Sequence, residues 1–136
     1  MENEVGRKVT ISQEFSDPMV GLTDDDLPTV VVDVPPIKTH EMYLCYRSQF
    51  ERQYTVYKKL DARIQDHAKL FQTLGEGLVK CDDKKSRSEL KKRIAKLYEI
   101  RQRSIKSLVR SYKIIHLHLR DLQARVSDYV TSYSPG

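Results

Sequence analysis

The chain has 136 residues, 39% of them apolar and 32% charged, with no tryptophan, five glycines and five prolines. This profile excludes β-sandwiches and α/β enzymes and describes a helical protein with a large solvated surface. No apolar run approaches the ~20 residues of a membrane-spanning helix, and the first residues, MENEVGRK, lack the apolar core of a signal peptide. The expectation is a soluble, intracellular protein, cytoplasmic or nuclear. The net charge of +5 conceals a gradient. Residues 1–36 hold eight acids against two bases, whereas residues 84–125 hold fourteen Lys and Arg against three acids. Such halves attract each other or separate partners.

Residues 1–36 read as a disordered acidic tail. Periodicity is poor, acids cluster at Asp24-Asp25-Asp26, and prolines fall at 18, 28, 35 and 36, so the segment buries too little to offset its ordering entropy. Val30–Val34 is the one part of it expected to dock. Pro35-Pro36 ends the tail and Thr39 offers an N-cap. Beyond it lies a helical domain over 37–133.

The first helix is marked by a heptad seam. Tyr43, Phe50, Tyr57, Ile64 and Phe71 are spaced by seven, and Tyr46, Gln53, Leu60, His67 and Leu74 lie three residues after each. Gly75 and Gly77 are expected to close it near residue 74. The polar stretch CDDKKSRS is a linker, with Ser86 or Ser88 as the next cap.

A second seam runs through Ile94, Tyr98, Ile105, Leu108, Tyr112, Ile115, Leu119, Leu122, Val126 and Tyr129. Arg101 interrupts it. The pattern permits one continuous helix, or a short helix at about 87–101 and a long one at about 105–131. Two amphipathic helices joined by so short a linker must run antiparallel. The fold class is therefore all-α, a helical hairpin or coiled coil. The core is expected from Tyr46, Phe50, Tyr57, Leu60, Ile64, Phe71 and Leu74 of the first seam and from Ile115, Leu119, Leu122, Val126 and Tyr129 of the second.

No residues combine into a catalytic, cofactor or metal site. His116 and His118 are two apart, so on a helix they point about 200° apart and cannot ligate one metal side by side. Gly75-Glu76-Gly77 lacks the Lys-Ser/Thr of a phosphate loop. Cys45 and Cys81 belong to no Cys/His cluster and read as reduced thiols. His67, on a seam, reads as a partly buried, hydrogen-bonded histidine. The eight tyrosines, at heptad spacing, read as core aromatics with hydroxyls at the edge rather than as a base-stacking platform.

The basic residues from Lys91 to Arg125 alternate with seam positions along one helix. A DNA-reading basic zipper instead places its basic block before an uninterrupted zipper. Lys106, Arg110, Lys113, Arg120 and Arg125 are the candidates for docking an acidic protein surface. A nucleic-acid-binding helical protein and a self-associating structural coiled coil are the alternatives.

From Pro35 to about Tyr133 the chain resembles the occludin/ELL homology domain, shared by occludin, tricellulin and the ELL transcription elongation factors. The resemblance rests on Pro35-Pro36-Ile37, Tyr46, Phe50, Tyr57, Leu60, Phe71 and Leu74, then on Ile115-His116, Leu119, Leu122, Val126 and Asp128-Tyr129. It implies two long antiparallel helices with a short middle helix, and hence a break near Gln102–Ser107, where the connection here is shorter than is usual in the family. It also implies a non-enzymatic protein-binding role through a basic helical face and an apolar groove. The implied partners are a zonula occludens-type scaffold at cell junctions or the scaffold of an elongation complex.

Overall fold

The computed structural model describes residues 17–133. A 3-10 turn at Asp24–Asp26 precedes two α-helices, α1 (His40–Lys80, 41 residues) and α2 (Lys84–Tyr133, 50 residues). Among the described residues there is no strand, and no helix is long and apolar enough to cross a membrane. The fold is all-α.

Capping chemistry sets the helix starts. Thr39 Oγ1 accepts the N–H of Met42 at 3.1 Å, as expected of an N-cap. The cap of α2 is Asp83 rather than Ser86 or Ser88. Its Oδ2 accepts both the N–H and the hydroxyl of Ser86, at 2.9 and 2.8 Å. A carboxylate carries full charge into the positive end of the helix, so it outcompetes a hydroxyl there.

Two expected boundaries are corrected. α1 does not stop near residue 74; it continues through Gly75 and Gly77 to Lys80. Helical glycine costs ~1 kcal/mol relative to alanine, and packing of this turn offsets it: Leu74 is buried, and a Cβ at Gly77 would only touch Leu90 at 4.0 Å. The break near Gln102–Ser107 and the short middle helix are absent, since α2 is continuous. The reason lies partly across the seam. Arg101, the interruption in the apolar pattern, is buried and bonded across the seam, and no Gly or Pro lies between Lys84 and Tyr133.

The chain divides into two compact units. Among the described residues, one comprises 17–21 with Ala62–Leu108, and the other comprises Leu22–Asp61 with 109–133.

In the first unit, Leu70, Leu74 and Leu97 form the buried core, with Phe71 and Ile94 packed against it. Phe71 meets Tyr98 edge to face at 5.9 Å, and His67 Nδ1 accepts the Nε–H of Arg101 at 3.1 Å. The order of these pairs makes the helices antiparallel here. Residues 17–21 are tied on by two bonds. Ser104 Oγ donates to Asp17 Oδ1 at 2.9 Å, and Arg63 Nη1 donates to the Pro18 carbonyl at 3.0 Å. Gly21 turns the chain with φ +83°, a conformation that side chains disfavour.

In the second unit, Tyr43 stacks on Tyr129 and Tyr57 on Tyr112, so the helices are antiparallel here as well. Val34, Tyr46 and Leu122 form the buried centre, with Phe50 and Val126 against them. Leu60 and Leu122 are fully buried, each worth ~1.5–3 kcal/mol of transfer free energy.

Of the segment read as a disordered acidic tail, residues 1–16 lie outside the described residues. Residues 22–36 form an arm of the second unit. The Ser111 hydroxyl donates to the Pro28 carbonyl at 3.0 Å, Arg125 Nε to the Val34 carbonyl at 2.8 Å, and the Tyr46 hydroxyl to the Pro35 carbonyl at 2.8 Å. Lys59 pairs with Asp26 at 3.5 Å. Docking of the Val30–Val34 piece is confined to Val34, for Val30, Val31 and Val32 are exposed.

Candidate protein-interaction surface

The second unit carries four of the five residues singled out for docking. Arg110, Lys113 and Arg120 are exposed, and Arg125 is half-buried. Lys106 is exposed too but belongs to the other unit. Arg110, Lys113, His116, Arg120 and Gln123 succeed one another at steps of three and four residues, all exposed. On an α-helix that spacing makes one continuous ridge. Arg120 reaches the carboxylate of its neighbour Asp121 at 3.4 Å. Among the described residues no carboxylate lies within ion-pair distance of Arg110 or Lys113.

Arg125 has a different task. Its guanidinium is turned to the Val34 carbonyl and holds the arm. It also lines, with Ile37, Lys38, Asp128 and Tyr129, a surface hollow of about 280 Å³. A second hollow of about 340 Å³ has Phe50 and Val126 as its apolar floor and Arg47, Glu51 and Gln123 at its rim. Gln123 therefore belongs to both the ridge and this hollow.

Aromatic rings border the ridge. Tyr57 and Tyr112 stack at 4.5 Å with ring planes 11° apart. The Tyr57 hydroxyl and His116 Nδ1 are hydrogen-bonded at 3.0 Å. The hydrogen bond to Tyr57 and burial push the pKa of Tyr112 up to about 12. Tyr54 continues the aromatic series from Phe50 to Tyr57 and is exposed, with Lys58 over its ring at 5.3 Å. The tyrosines thus form ordered stacks, and only Tyr46 among those described is fully within the core.

His116 and His118 are held apart: His116 is exposed beside Tyr57, and His118 is buried against Gln53. Among the described residues no group of His, Cys, Asp and Glu has the arrangement of a metal site. Burial lowers the pKa of both His118 and His67; the Arg101 charge adds to the effect at His67, and Asp121 opposes it at His118. Each is a neutral ring meeting a polar member of the opposite seam.

Sequence reasoning missed the residues that fasten the N-terminal segment: Ser104, Ser111 and Arg63. The signal that could have found two of them was the spacing by seven of Ser104, Ser111, His118 and Arg125, a polar row running beside the apolar seam.

The geometry is that of an all-α domain. A basic ridge flanks a hollow floored by Phe50 and Val126, and among the described residues no group of His, Cys, Asp and Glu is arranged to hold a metal. The family comparison agrees: residues 34–131 match the model of the occludin homology domain. The chain belongs to the occludin homology domain family. No curated protein and no solved structure matches it.

Proposed function

We propose that the domain is a non-enzymatic protein-binding module that presents the ridge Arg110–Lys113–Arg120 to an acidic partner surface. The apolar floor of Phe50 and Val126 takes an apolar side chain of that partner. The observation that carries this reading is the ridge itself. Three bases occupy one exposed face of α2, and Arg110 and Lys113 have no carboxylate of their own within reach among the described residues. Charges placed this way add association rate and specificity, while the neighbouring apolar hollow supplies desolvated contact area. Membership of the family supports a binding role, and the resemblance to occludin and the ELL factors supplies the two partners to try.

Calorimetric titration with a zonula occludens guanylate-kinase-like region and with the ELL-binding segment of an elongation-complex scaffold tests the reading. Binding of either, lost in the Arg110→Glu/Lys113→Glu double variant at unchanged far-ultraviolet circular dichroism, supports it. Undiminished binding by the double variant removes this ridge from the interface. Binding to the first partner places the chain with junctional scaffolds, and to the second with transcription elongation.

A further inference from the structure

Arg101 breaks the apolar seam of α2, yet it is buried there. A buried guanidinium is costly unless acceptors and opposite charge meet it. His67 supplies a neutral ring nitrogen at 3.1 Å. Burial pushes the Arg101 pKa down, and the charge of Asp17 opposes that shift. Asp17 opens a compact turn. The Val20 N–H donates to the Asp17 carbonyl at 3.0 Å, and the Met19 N–H to its Oδ1 at 3.0 Å. Aspartate in the first place and proline in the second are favoured in such a turn, so local bonds set its shape. The helices receive it at fixed points. Ser104 Oγ donates to Asp17 Oδ1 at 2.9 Å, the Pro18 ring is buried, and Arg63 Nη1 donates to the Pro18 carbonyl at 3.0 Å. Gly21, at φ +83°, lets Arg63 come close, for a Cβ there would meet Arg63 Nη2 at 3.3 Å. Between these points Met19 is half-buried and Val20 exposed.

We propose that Arg63, Arg101 and Ser104 form a recognition site for Asp-Pro-x-x-Gly turns of partner proteins, and that residues 17–21 are the chain's own copy of that ligand, a plug that a partner's turn displaces. The contrast between site and occupant supports this. The receiving side chains stand on two long helices, and Arg101 takes a place that an apolar residue would fill at less cost. The occupant is a short turn held by the bonds from Ser104 and Arg63 and by one buried ring. A turn of another protein with the same three fixed residues presents the same carboxylate, ring and carbonyl, and its local bonds keep the ordering cost low. Charge selects aspartate in the first place, since the carboxylate meets the Ser104 hydroxyl and the field of Arg101. The tethered plug competes at the millimolar effective concentration of a short link. The site belongs to the first unit and shares no residue with the ridge Arg110–Lys113–Arg120.

The probe is an N-acetylated, fluorescently labelled peptide of residues 17–23, Asp-Pro-Met-Val-Gly-Leu-Thr. It is titrated into the full chain and into two full-length variants, Asp17→Lys and Pro18→Ser, each of which unseats the chain's own turn. Both variants are expected to bind the peptide about tenfold or more tightly than the unaltered chain, where the plug competes, at unchanged helicity. In the Asp17→Lys chain, adding Ser104→Ala or Arg63→Met is expected to weaken the peptide by about fivefold. A peptide carrying Asp17→Asn should lose most of its affinity, and one carrying Val20→Ala should keep it. No binding to either variant at millimolar peptide, equal affinity for the variants and the unaltered chain, or undiminished binding of the Asp17→Asn peptide overturns the proposal and leaves residues 17–21 as a fixed strap.

Discussion

Gln53 and His118 meet across the helix pair of the second unit: the carboxamide oxygen of Gln53 accepts the Nδ1–H of the buried His118 ring. Both occupy positions where an apolar side chain would pack. The bond matters because each partner, left alone, would be a desolvated polar group. Gln53→Leu strands the His118 donor and is expected to cost ~1–3 kcal/mol, whereas Gln53→Leu with His118→Leu is expected to be close to neutral. Urea denaturation of the three proteins measures the difference. Equal losses in the single and double variants would mean that the bond adds nothing.

The lowered pKa values of His67 and His118 set the sign of a pH effect. The unfolded chain takes up protons on these rings near their ordinary pKa of ~6.5, and the folded chain does so only at lower pH. Their contribution to stability is therefore complete above that pH and is lost as the pH falls through and below it. Denaturation midpoints should drop between about pH 7.5 and about pH 5.5, a window in which ordinary carboxylates do not titrate. His118→Gln should flatten the profile.

Arg110 and Arg125 make a controlled comparison of two arginines on one helix. Arg125→Met leaves the Val34 carbonyl without its donor and is expected to lower stability by ~1.5–3 kcal/mol, the range for hydrogen bonds to charged groups. Arg110→Met alters only a solvated side chain and should stay within ~0.5 kcal/mol. Thermal melts read the stability, and partner titration reads the converse: Arg110→Met weakens binding in a protein that is still fully folded.

The Tyr57–Tyr112 stack has a spectroscopic signature. Because the hydrogen bond to Tyr57 is the largest cause of the raised Tyr112 pKa, Tyr57→Phe should return the Tyr112 phenol towards the ordinary tyrosine range. Alkaline titration of phenolate absorbance resolves this as one group titrating earlier. An unchanged curve would assign the shift to burial and to Asp61 instead.

The two helices were legible because heptad periodicity records the demand of one helix face for an apolar partner. Leu60, Leu74, Ile115, Leu119 and Leu122 are buried where that demand put them. Thr39 was legible as a cap for the same kind of reason, a side chain preceding a periodic run. The end of α1 was not legible, because the tolerance for Gly75 and Gly77 comes from packing in another part of the sequence. The continuity of α2 past Arg101 depended on a partner, His67, that no local window contains. Exposure of Arg110 and Lys113 was readable from their places between seam residues. The commitment of Arg125 was not, since its acceptor is a backbone carbonyl and carbonyls leave no mark in a sequence.

Fastening through carbonyls makes the arm indifferent to much of its own sequence. Ser111, Arg125 and Tyr46 all grasp main-chain oxygens of the arm; Val34 enters the core by its side chain and Asp26 pairs with Lys59 by its carboxylate. The spacing of those grips fixes how many residues separate Pro28 from Val34 but leaves the identity of residues 29–33 open. One residue more or less would put the grips out of step, whereas a rewritten stretch of the same length would still sit. The arm is thus a fixed-length frame with a free text, a place where reporter side chains can be written into the domain without rebuilding its core.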